Sequence, residues 1–224
     1  MELGLPPVIA IDGPSASGKG TVAQRVAHAL GFHYLDSGAL YRGVALAAAK
    51  SGTKLIAGTA LERLAATMDI AFSGDIIYLN QMIVTDEIRS EAISEAASMV
   101  GAIASVRLAL IARQRAFRQP PGLVADGRDM GSTIFPAAGL KIYLTADAQE
   151  RASRRCKQLI AKGLSANMST LLQDILARDE RDSVRAAAPL QKCKDAMLLD
   201  TTNLSIDAAV EQVLARYAAV KQVP

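Results

Sequence analysis

The sequence predicts an α/β fold in which helices flank a five-stranded parallel sheet, with a small antiparallel β insertion and a helical lid. Short apolar runs typical of buried parallel strands recur along the chain, beginning at residues 8–11, and several end in an aspartate and a tight turn. Helical patterns separate these runs. The chain has 224 residues, half of them apolar, which is enough for one substantial core.

The first strand leads into a phosphate-binding loop. Residues 13–19 have the spacing G-x-x-x-x-G-K, in which backbone N–H groups surround a phosphate chain at the positive end of the next helix. Lys19 would reach the β and γ phosphates. Gly20 separates this lysine from the hydroxyl of Thr21, a variant that nucleoside monophosphate kinases carry and that disfavours a GTPase or a motor ATPase. The predicted loop comprises Gly13, Pro14, Ser15, Ala16, Ser17, Gly18, Lys19, Gly20 and Thr21.

The second strand, residues 32–35, ends in another acidic turn. Asp36 and Ser37 precede a helix that begins with Tyr41 and Arg42, where a second phosphate group could meet a helix dipole and a guanidinium. The alternative is that Asp36 or Ser37 only caps this helix and that Arg42 lies in solvent.

The third strand, residues 123–125, closes on Asp126. P-loop folds place a carboxylate that helps to hold Mg²⁺ at this position, directly or through water. Gly127 follows, where hydrolytic ATPases often have a glutamate. Arg128 and Asp129 are candidates for contacts with a substrate. Because parallel sheets bind ligands beyond the carboxyl ends of their strands, all three turns should open on one crevice.

Two arginine-rich helices lie between the last two strands, which cover residues 140–145 and 196–200. The pattern predicts a lid that closes over phosphates, and the alternative is a solvated helix pair with surface ion pairs. One helical face carries Arg151, Arg154 and Arg155, and another carries Arg178, Arg181, Asp182 and Arg185.

The remaining segments complete a single predicted unit, residues 1–224. Residues 68–84 are expected to form a small antiparallel meander, and residues 88–117 a helix with a break near Gly101. A last amphipathic helix covers residues 206–220. We expect a core of residues 8–67, 119–147 and 189–224, a monophosphate-binding insertion with helices at 68–118, and a lid region at 148–188.

Composition excludes several classes of partner. The net charge is only +3, aromatic residues make up 4% of the chain and tryptophan is absent, so we expect no nucleic-acid partner. Cys156 and Cys193 have no metal or redox spacing and should be free thiols. No signal peptide or membrane span is recognisable. We expect a cytoplasmic protein without a membrane partner, and a monomer.

The predicted crevice has more phosphate-handling groups than one nucleotide needs, and it suits transfer between two phosphorylated molecules. An acceptor phosphate monoester is already a dianion near neutral pH, so no general base is required. The presence of only two histidines fits this expectation. Catalysis would depend on alignment and on charge neutralisation by Lys19, Mg²⁺ and arginines.

The phosphate loop taken with the segments DSGALYR, ADGRDMGS and RDERDSVRAAAPL closely resembles the bacterial cytidylate kinases. The resemblance extends from residue 8 to the final helix. It implies a P-loop kinase fold that transfers the γ-phosphoryl group of ATP to CMP, and to dCMP, with Mg²⁺. A P-loop kinase for another small acceptor and a slow nucleotide-hydrolysing switch are the alternatives. The missing glutamate after Asp126 and the absence of an N-K-x-D motif disfavour the switch.

The resemblance also implies roles for individual residues. It implies that the loop from Gly13 to Thr21 binds ATP. Arg154 and Arg155 would be lid residues near the transferring group. The acceptor phosphate would contact Arg42, Arg128 and Arg178, and the sugar would contact Tyr41 and Asp182. The base would contact Ser37, Arg107, Asp129 and Arg185, with Ser98 also placed there.

Overall fold

The computed structural model describes residues 4–74, 76–161 and 163–221. The chain forms two compact units. The first contains the chain up to Leu35 and from Phe117 onward, and the second contains Asp36–Ala116.

The first unit is built on a five-stranded sheet with the strand order β2-β6-β1-β7-β8. Strand β1 pairs in parallel with β6 and β7, and β7 pairs in parallel with β8. The five-stranded parallel sheet expected from the sequence is confirmed. Its strands are β1 (Val8–Asp12), β2 (His33–Asp36), β6 (Leu123–Gly127), β7 (Leu140–Thr145) and β8 (Met197–Asp200).

Helices of the first unit pack on this sheet and on one another. Ile11 of β1 and Ile142 of β7 share a core with Val26 of α1 and Val213 of α8, all with at most 1% of their surface exposed. A separate apolar cluster between α6 and α7 contains Leu159 and Ile175. The helices are α1 (Lys19–Leu30), α6 (Ala148–Ala161), α7 (Met168–Val184) and α8 (Ile206–Lys221), and a π-helical turn (Met130–Ile134) follows β6.

The second unit combines four helices with a three-stranded antiparallel sheet of order β3-β4-β5. The sheet confirms the expected meander. Helix α2 packs against α4, and α3 packs against α5. The elements are α2 (Ser37–Ser51), α3 (Thr59–Thr67), β3 (Ile70–Ser73), β4 (Ile76–Leu79), β5 (Met82–Ile83), a 3-10 helix (Glu87–Arg89), α4 (Glu91–Gly101) and α5 (Ala104–Arg115).

The predicted break near Gly101 is confirmed, because α4 ends there and α5 leaves at an angle of 100°. Among the described residues, no single helix has the length and apolar composition to cross a membrane. Helices α4 and α5 meet these criteria only when they are taken together, and the chain bends between them.

Two helix boundaries differ from the sequence-based expectation. Helix α2 begins at Ser37 rather than near Tyr41, because the Asp36 carboxylate caps it by accepting a hydrogen bond from the Ala39 N–H at 3.0 Å. Helix α7 ends at Val184, and the backbone of Arg185 is extended. Arg185 therefore does not continue the helical face that carries Arg178 and Asp182.

Helix α5 offers a matched test of the second unit's core. Leu110 is fully buried, whereas Leu108 is 72% exposed on the same helix. We expect Leu110→Ala to lower the free energy of unfolding by about 2–5 kcal/mol, because it removes buried methyl groups and leaves a cavity. Leu108→Ala should change it by less than about 0.5 kcal/mol. Urea unfolding of both variants makes the comparison, and equal losses would contradict the burial assigned to α5.

Candidate active site

The phosphate loop leaves the central strand of the sheet through a glycine that no other residue could replace without displacing the backbone. A Cβ atom at Gly13 would lie 1.9 Å from the Leu144 carbonyl oxygen. Farther along the loop, Ala16 (φ 56°) and Gly18 (φ 88°) have left-handed backbone conformations. Such alternation turns successive N–H groups toward one concave side, which suits an anion.

Side chains of the loop itself and of α6 bind the carbonyl groups of this loop. The Pro14 carbonyl accepts hydrogen bonds from the Ser17 hydroxyl at 3.0 Å and from Lys19 Nζ at 3.2 Å. Arg151 of α6 donates to the Ser15 carbonyl at 3.1 Å, and Arg154 of α6 donates to the Ser17 carbonyl at 3.3 Å.

These contacts leave the N–H side of the loop for a ligand. In a trans peptide the carbonyl and the following N–H point in opposite directions. Holding the Ser15 and Ser17 carbonyls against α6 therefore directs the N–H groups of Ala16 and Gly18 away from it. Helix α1 starts directly after the loop, and its first turn has no acidic side chain. The arrangement is suited to binding phosphate at the helix N-terminus.

The two predicted lid arginines have different environments. Arg154 donates from Nη2 to the Thr201 carbonyl at 2.5 Å and from Nε to Glu150 at 3.0 Å, in addition to its bond with Ser17. Arg155 is partly exposed, and its Nη1 lies 3.4 Å from the Gln158 side-chain oxygen. The structure thus brings Arg154 to the loop carbonyls and to the end of β8, not only to the surface of α6.

The carboxylate of Asp12 joins the end of β1 to the turn after β6. Its two oxygens accept hydrogen bonds from the N–H groups of Met130 and Gly131, both at 2.8 Å. Burial raises the pKa of Asp12 to about 6, although the two N–H groups oppose this shift. These bonds fix the turn that begins beside Asp129, whose surface is 2% exposed.

Asp126, the predicted metal ligand, lies at the end of β6 beside the start of α1. Its Oδ1 accepts a hydrogen bond from the Tyr34 hydroxyl at 3.3 Å. Its Oδ2 lies 3.4 Å from the position that a Cβ atom at Gly20 would take. A carboxylate oxygen beside the phosphate loop fits a hard cation such as Mg²⁺, which one or two carboxylates and phosphate oxygens hold in related chemistry.

A buried cluster of opposite charges lies between β6 and α7. Arg128 Nε donates to Asp182 Oδ2 at 2.8 Å, and Arg185 Nη1 lies 3.9 Å from Asp182 Oδ1. Burial alone would raise the pKa of Asp182, but Arg128, Arg178 and Arg185 outweigh it and lower this pKa below its ordinary value. Arg178 lies one helical turn before Asp182 on α7.

Several predicted residues of the second unit make polar contacts within that unit. Arg42 Nη2 lies 2.5 Å from Asp36 Oδ2, and 18% of the Arg42 side chain is exposed, so it is not the solvated arginine of the alternative interpretation. The Arg107 guanidinium carbon lies 5.4 Å from the centre of the Tyr41 ring, and its Nη1 donates to the Gly101 carbonyl at 3.0 Å. Ser37, Ser98 and Arg107 are all buried.

Sequence reasoning missed three contributors to the site: Thr201, Asp179 and the contacts of Arg151. The Thr201 hydroxyl donates to the Ser17 and Thr145 carbonyls at 3.3 and 3.0 Å. Asp179 forms an ion pair with Arg151 at 2.6 Å. No local spacing could have shown these partners, because they are far apart in sequence. The one weak signal for Thr201 was its position, because it directly follows β8 at the carboxyl end of a parallel strand.

The parallel sheet and the phosphate loop after its central strand define a P-loop nucleotide-binding protein. A family model described as cytidylate kinase matches residues 9–219. The chain is 55% identical to the cytidylate kinase of Nitrosomonas europaea, over 96% of this chain and 97% of that protein. It is 58% identical to that of Paraburkholderia phymatum (96% and 94%) and 57% identical to that of Chromobacterium violaceum (93% and 94%).

The chain therefore belongs to the cytidylate kinase family, as its sequence motifs predicted. Family membership makes it a phosphotransferase and disfavours both a hydrolytic switch and a kinase for an unrelated acceptor.

The pKa of Asp12 gives a prediction about stability. Because it is about 6 in the folded protein and 3.8 ordinarily, the protonated carboxyl stabilises the fold, and this contribution disappears as pH rises through 6. The stability difference between wild type and Asp12→Asn should therefore shrink from about pH 4 to about pH 7. It should still favour wild type by about 1–3 kcal/mol at neutral pH, because one backbone N–H loses its acceptor in the variant.

Urea unfolding across this pH range measures the difference. Asp195→Asn is the control, because the hydrogen bond from Lys141 lowers the pKa of that exposed carboxyl. Its stabilising contribution is present above the ordinary pKa of 3.8 and is lost only at lower pH, so the control difference should stay nearly constant between about pH 4 and about pH 7. A pH-independent difference for Asp12→Asn would contradict the burial effect.

Proposed function

We propose that this protein transfers the γ-phosphoryl group of ATP to CMP, and to dCMP, giving CDP or dCDP and ADP. The observation that carries the proposal is the buried cluster of Arg128, Asp182 and Arg185 in a cytidylate kinase family chain whose phosphate loop is complete. A phosphate loop alone would serve any nucleotide-dependent enzyme. Buried arginines paired with a carboxylate provide a second place where an anionic, hydroxyl-bearing ligand can bind.

In this proposal the loop from Gly13 to Thr21 binds the ATP phosphates and Lys19 contacts the β and γ groups. Arg154 and Arg155 lie on the adjoining helix α6, where Arg154 supports the loop at the Ser17 carbonyl and both would act near the transferring group. Asp126 holds Mg²⁺ directly or through water. When bound, the ion would neutralise charge that develops on the phosphates.

The acceptor phosphate is assigned to Arg42, Arg128 and Arg178, and the sugar to Tyr41 and Asp182. Arg42 and Arg128 already have carboxylate partners at 2.5 and 2.8 Å. A phosphate dianion is a stronger partner for a guanidinium than a singly charged carboxylate, so it can replace or share these contacts. The carboxylates would meanwhile keep the buried cations compensated before CMP arrives.

The base is assigned to Ser37, Ser98, Arg107, Asp129 and Arg185. The exocyclic amino group of cytosine could donate a hydrogen bond to the Asp129 carboxylate. The O2 and N3 atoms of cytosine could accept hydrogen bonds from arginines. Uracil has a carbonyl in place of that amino group. Asp129 is 2% exposed, so a uracil carbonyl that faces it would bring two buried acceptors together, which disfavours UMP.

No side chain needs to abstract a proton in this reaction. The acceptor phosphate is already ionised near neutral pH, so its oxygen can attack the γ phosphorus without a base. The residues contribute alignment and positive charge, and exclusion of water protects the γ-phosphoryl group from hydrolysis. Residues 148–188 would act as a lid and 68–118 as the monophosphate-binding insertion. We also propose that the enzyme is cytoplasmic and monomeric.

The substrate assignment is tested by presenting CMP, dCMP, UMP, AMP and shikimate separately with Mg-ATP in a coupled assay of ADP formation. CMP should give the highest kcat/KM, exceeding UMP by at least about tenfold because the uracil carbonyl would face the Asp129 carboxylate. ADP formation should be negligible without an acceptor. If CMP were no better than AMP or shikimate, the substrate assignment would be wrong.

Alanine variants of the two α7-region arginines test the acceptor site. Arg178→Ala and Arg185→Ala should each raise the KM for CMP or lower kcat by about tenfold or more, because each removes a charged contact worth about 1.5–3 kcal/mol. ATP affinity, measured by calorimetry, should change by less than about threefold. Exposed Arg63→Ala on α3 is the control. Equal losses of ATP and CMP binding would contradict the assignment.

A further inference from the structure

Arg151 is a buried cation that the proposed site does not include. Only 5% of its surface is exposed. Its guanidinium contacts three separate parts of the first unit. Nε donates to the Ala146 carbonyl beyond β7 at 2.9 Å, and Nη1 donates to the Ser15 carbonyl of the phosphate loop at 3.1 Å. Nη2 lies 2.6 Å from Asp179 Oδ2 on α7.

The contact with Ser15 acts on the phosphate loop. It fixes the peptide plane that carries the Ala16 N–H, which then points away from α6. The side chain of Ala16 packs against the apolar cluster between α6 and α7. Ala16 also has a left-handed backbone, with φ at 56°, a conformation that surrounding contacts must maintain. The loop therefore depends on Arg151 for its orientation at this peptide.

The contact with Asp179 acts on α7. Asp179 is adjacent to Arg178 and lies three residues before Asp182, which is bound to Arg128 at 2.8 Å. Two carboxylates of one helix are thus held by arginines of two other elements. Of these two ion pairs, only the Arg151–Asp179 pair links α7 to a residue that also binds the phosphate loop. The position of Arg178 relative to the loop therefore depends on this pair.

We propose that Arg151 is a positioning residue for phosphoryl transfer: it joins the phosphate loop to α7, and so aligns Arg178 and the acceptor phosphate that Arg178 contacts with the γ-phosphoryl group. The proposal rests on the proposed function, in which Arg178 contacts the acceptor phosphate. Arg151 itself would touch neither substrate. A guanidinium suits the task because its donors point in several fixed directions at once.

A double-mutant cycle distinguishes positioning from simple structural support. Arg151→Gln is made in the wild-type protein and in Arg178→Ala, and kcat, KM and thermal midpoint are measured for all four proteins. In the wild-type background we expect kcat to fall by about tenfold to a hundredfold through misalignment. In the Arg178→Ala background the further fall should be less than about threefold, because the group to be aligned is already missing.

Two readouts other than kcat should behave differently. The loss in thermal midpoint from Arg151→Gln should be similar in both backgrounds, because folding does not require alignment with a substrate. ATP affinity, measured by calorimetry, should fall by a similar factor in both, because the loop loses its contact at Ser15 irrespective of Arg178. Arg25→Gln is the matched control, since Arg25 forms an exposed ion pair with Asp207. It should match wild type in kcat.

The cycle can overturn the proposal. Equal falls in kcat in the two backgrounds, or an unchanged kcat with only a lower thermal midpoint, would make Arg151 a structural residue. If Arg151→Gln does not fold, the same cycle is run with Asp179→Asn, which keeps the size of the side chain and removes the ion pair. A wild-type enzyme inactive on CMP would refute the proposed function instead, and the ATP affinity of Arg151→Gln would still test the contact with the loop.

Discussion

The geometry of this protein depends on how the carbonyl groups of one loop are bound. A phosphate chain can be held by backbone N–H groups only if those groups converge, and each N–H points opposite to the carbonyl of the same peptide. The carbonyls of Pro14, Ser15 and Ser17 all accept hydrogen bonds from side chains. The donors come from α1, α6 and the end of β8, so much of the first unit contributes to one small surface.

The sheet explains why these donors meet. Strand β1 lies between β6 and β7, and β8 follows β7 at the edge. The loop after β1 is therefore next to the segments that leave β6, β7 and β8. Asp12 adds a further restraint through the N–H groups of Met130 and Gly131, and Thr201 reaches Ser17 from the end of β8. These segments lie close together because the carboxyl ends of parallel strands are at the same edge of the sheet.

Three arginines at or near the candidate site are paired with carboxylates. Arg128 is paired with Asp182, Arg151 with Asp179 and Arg42 with Asp36. Removing one member of a buried pair is far more costly than removing an exposed pair, because the remaining charge has lost water and partner. The pairs hold guanidinium groups in defined positions before substrate arrives, which reduces the reorganisation that binding requires.

The sequence was sufficient for the strands, the phosphate loop and the family, because these depend on local hydrophobic runs, glycine spacing and motifs. It was insufficient for the contacts of long side chains. Arg151 was placed on a helical face, but its partner Ser15 is 136 residues away. Helix α3 was not predicted, and its N-terminus at Gly58 has no side-chain cap to mark it. The sequence pattern also extended α7 through Arg185. The backbone of Arg185 is extended instead, and its Nε donates to the Ala188 carbonyl at 2.7 Å.

The most direct measurement is a crystal structure with CMP and a non-hydrolysable ATP analogue bound together. We expect the triphosphate on the N–H side of the loop, with Arg151 still bound to the Ser15 carbonyl and Asp179, and Arg178 directed at the CMP phosphate. A triphosphate bound away from the loop, or an Arg151 that had left both partners to contact phosphate, would contradict it.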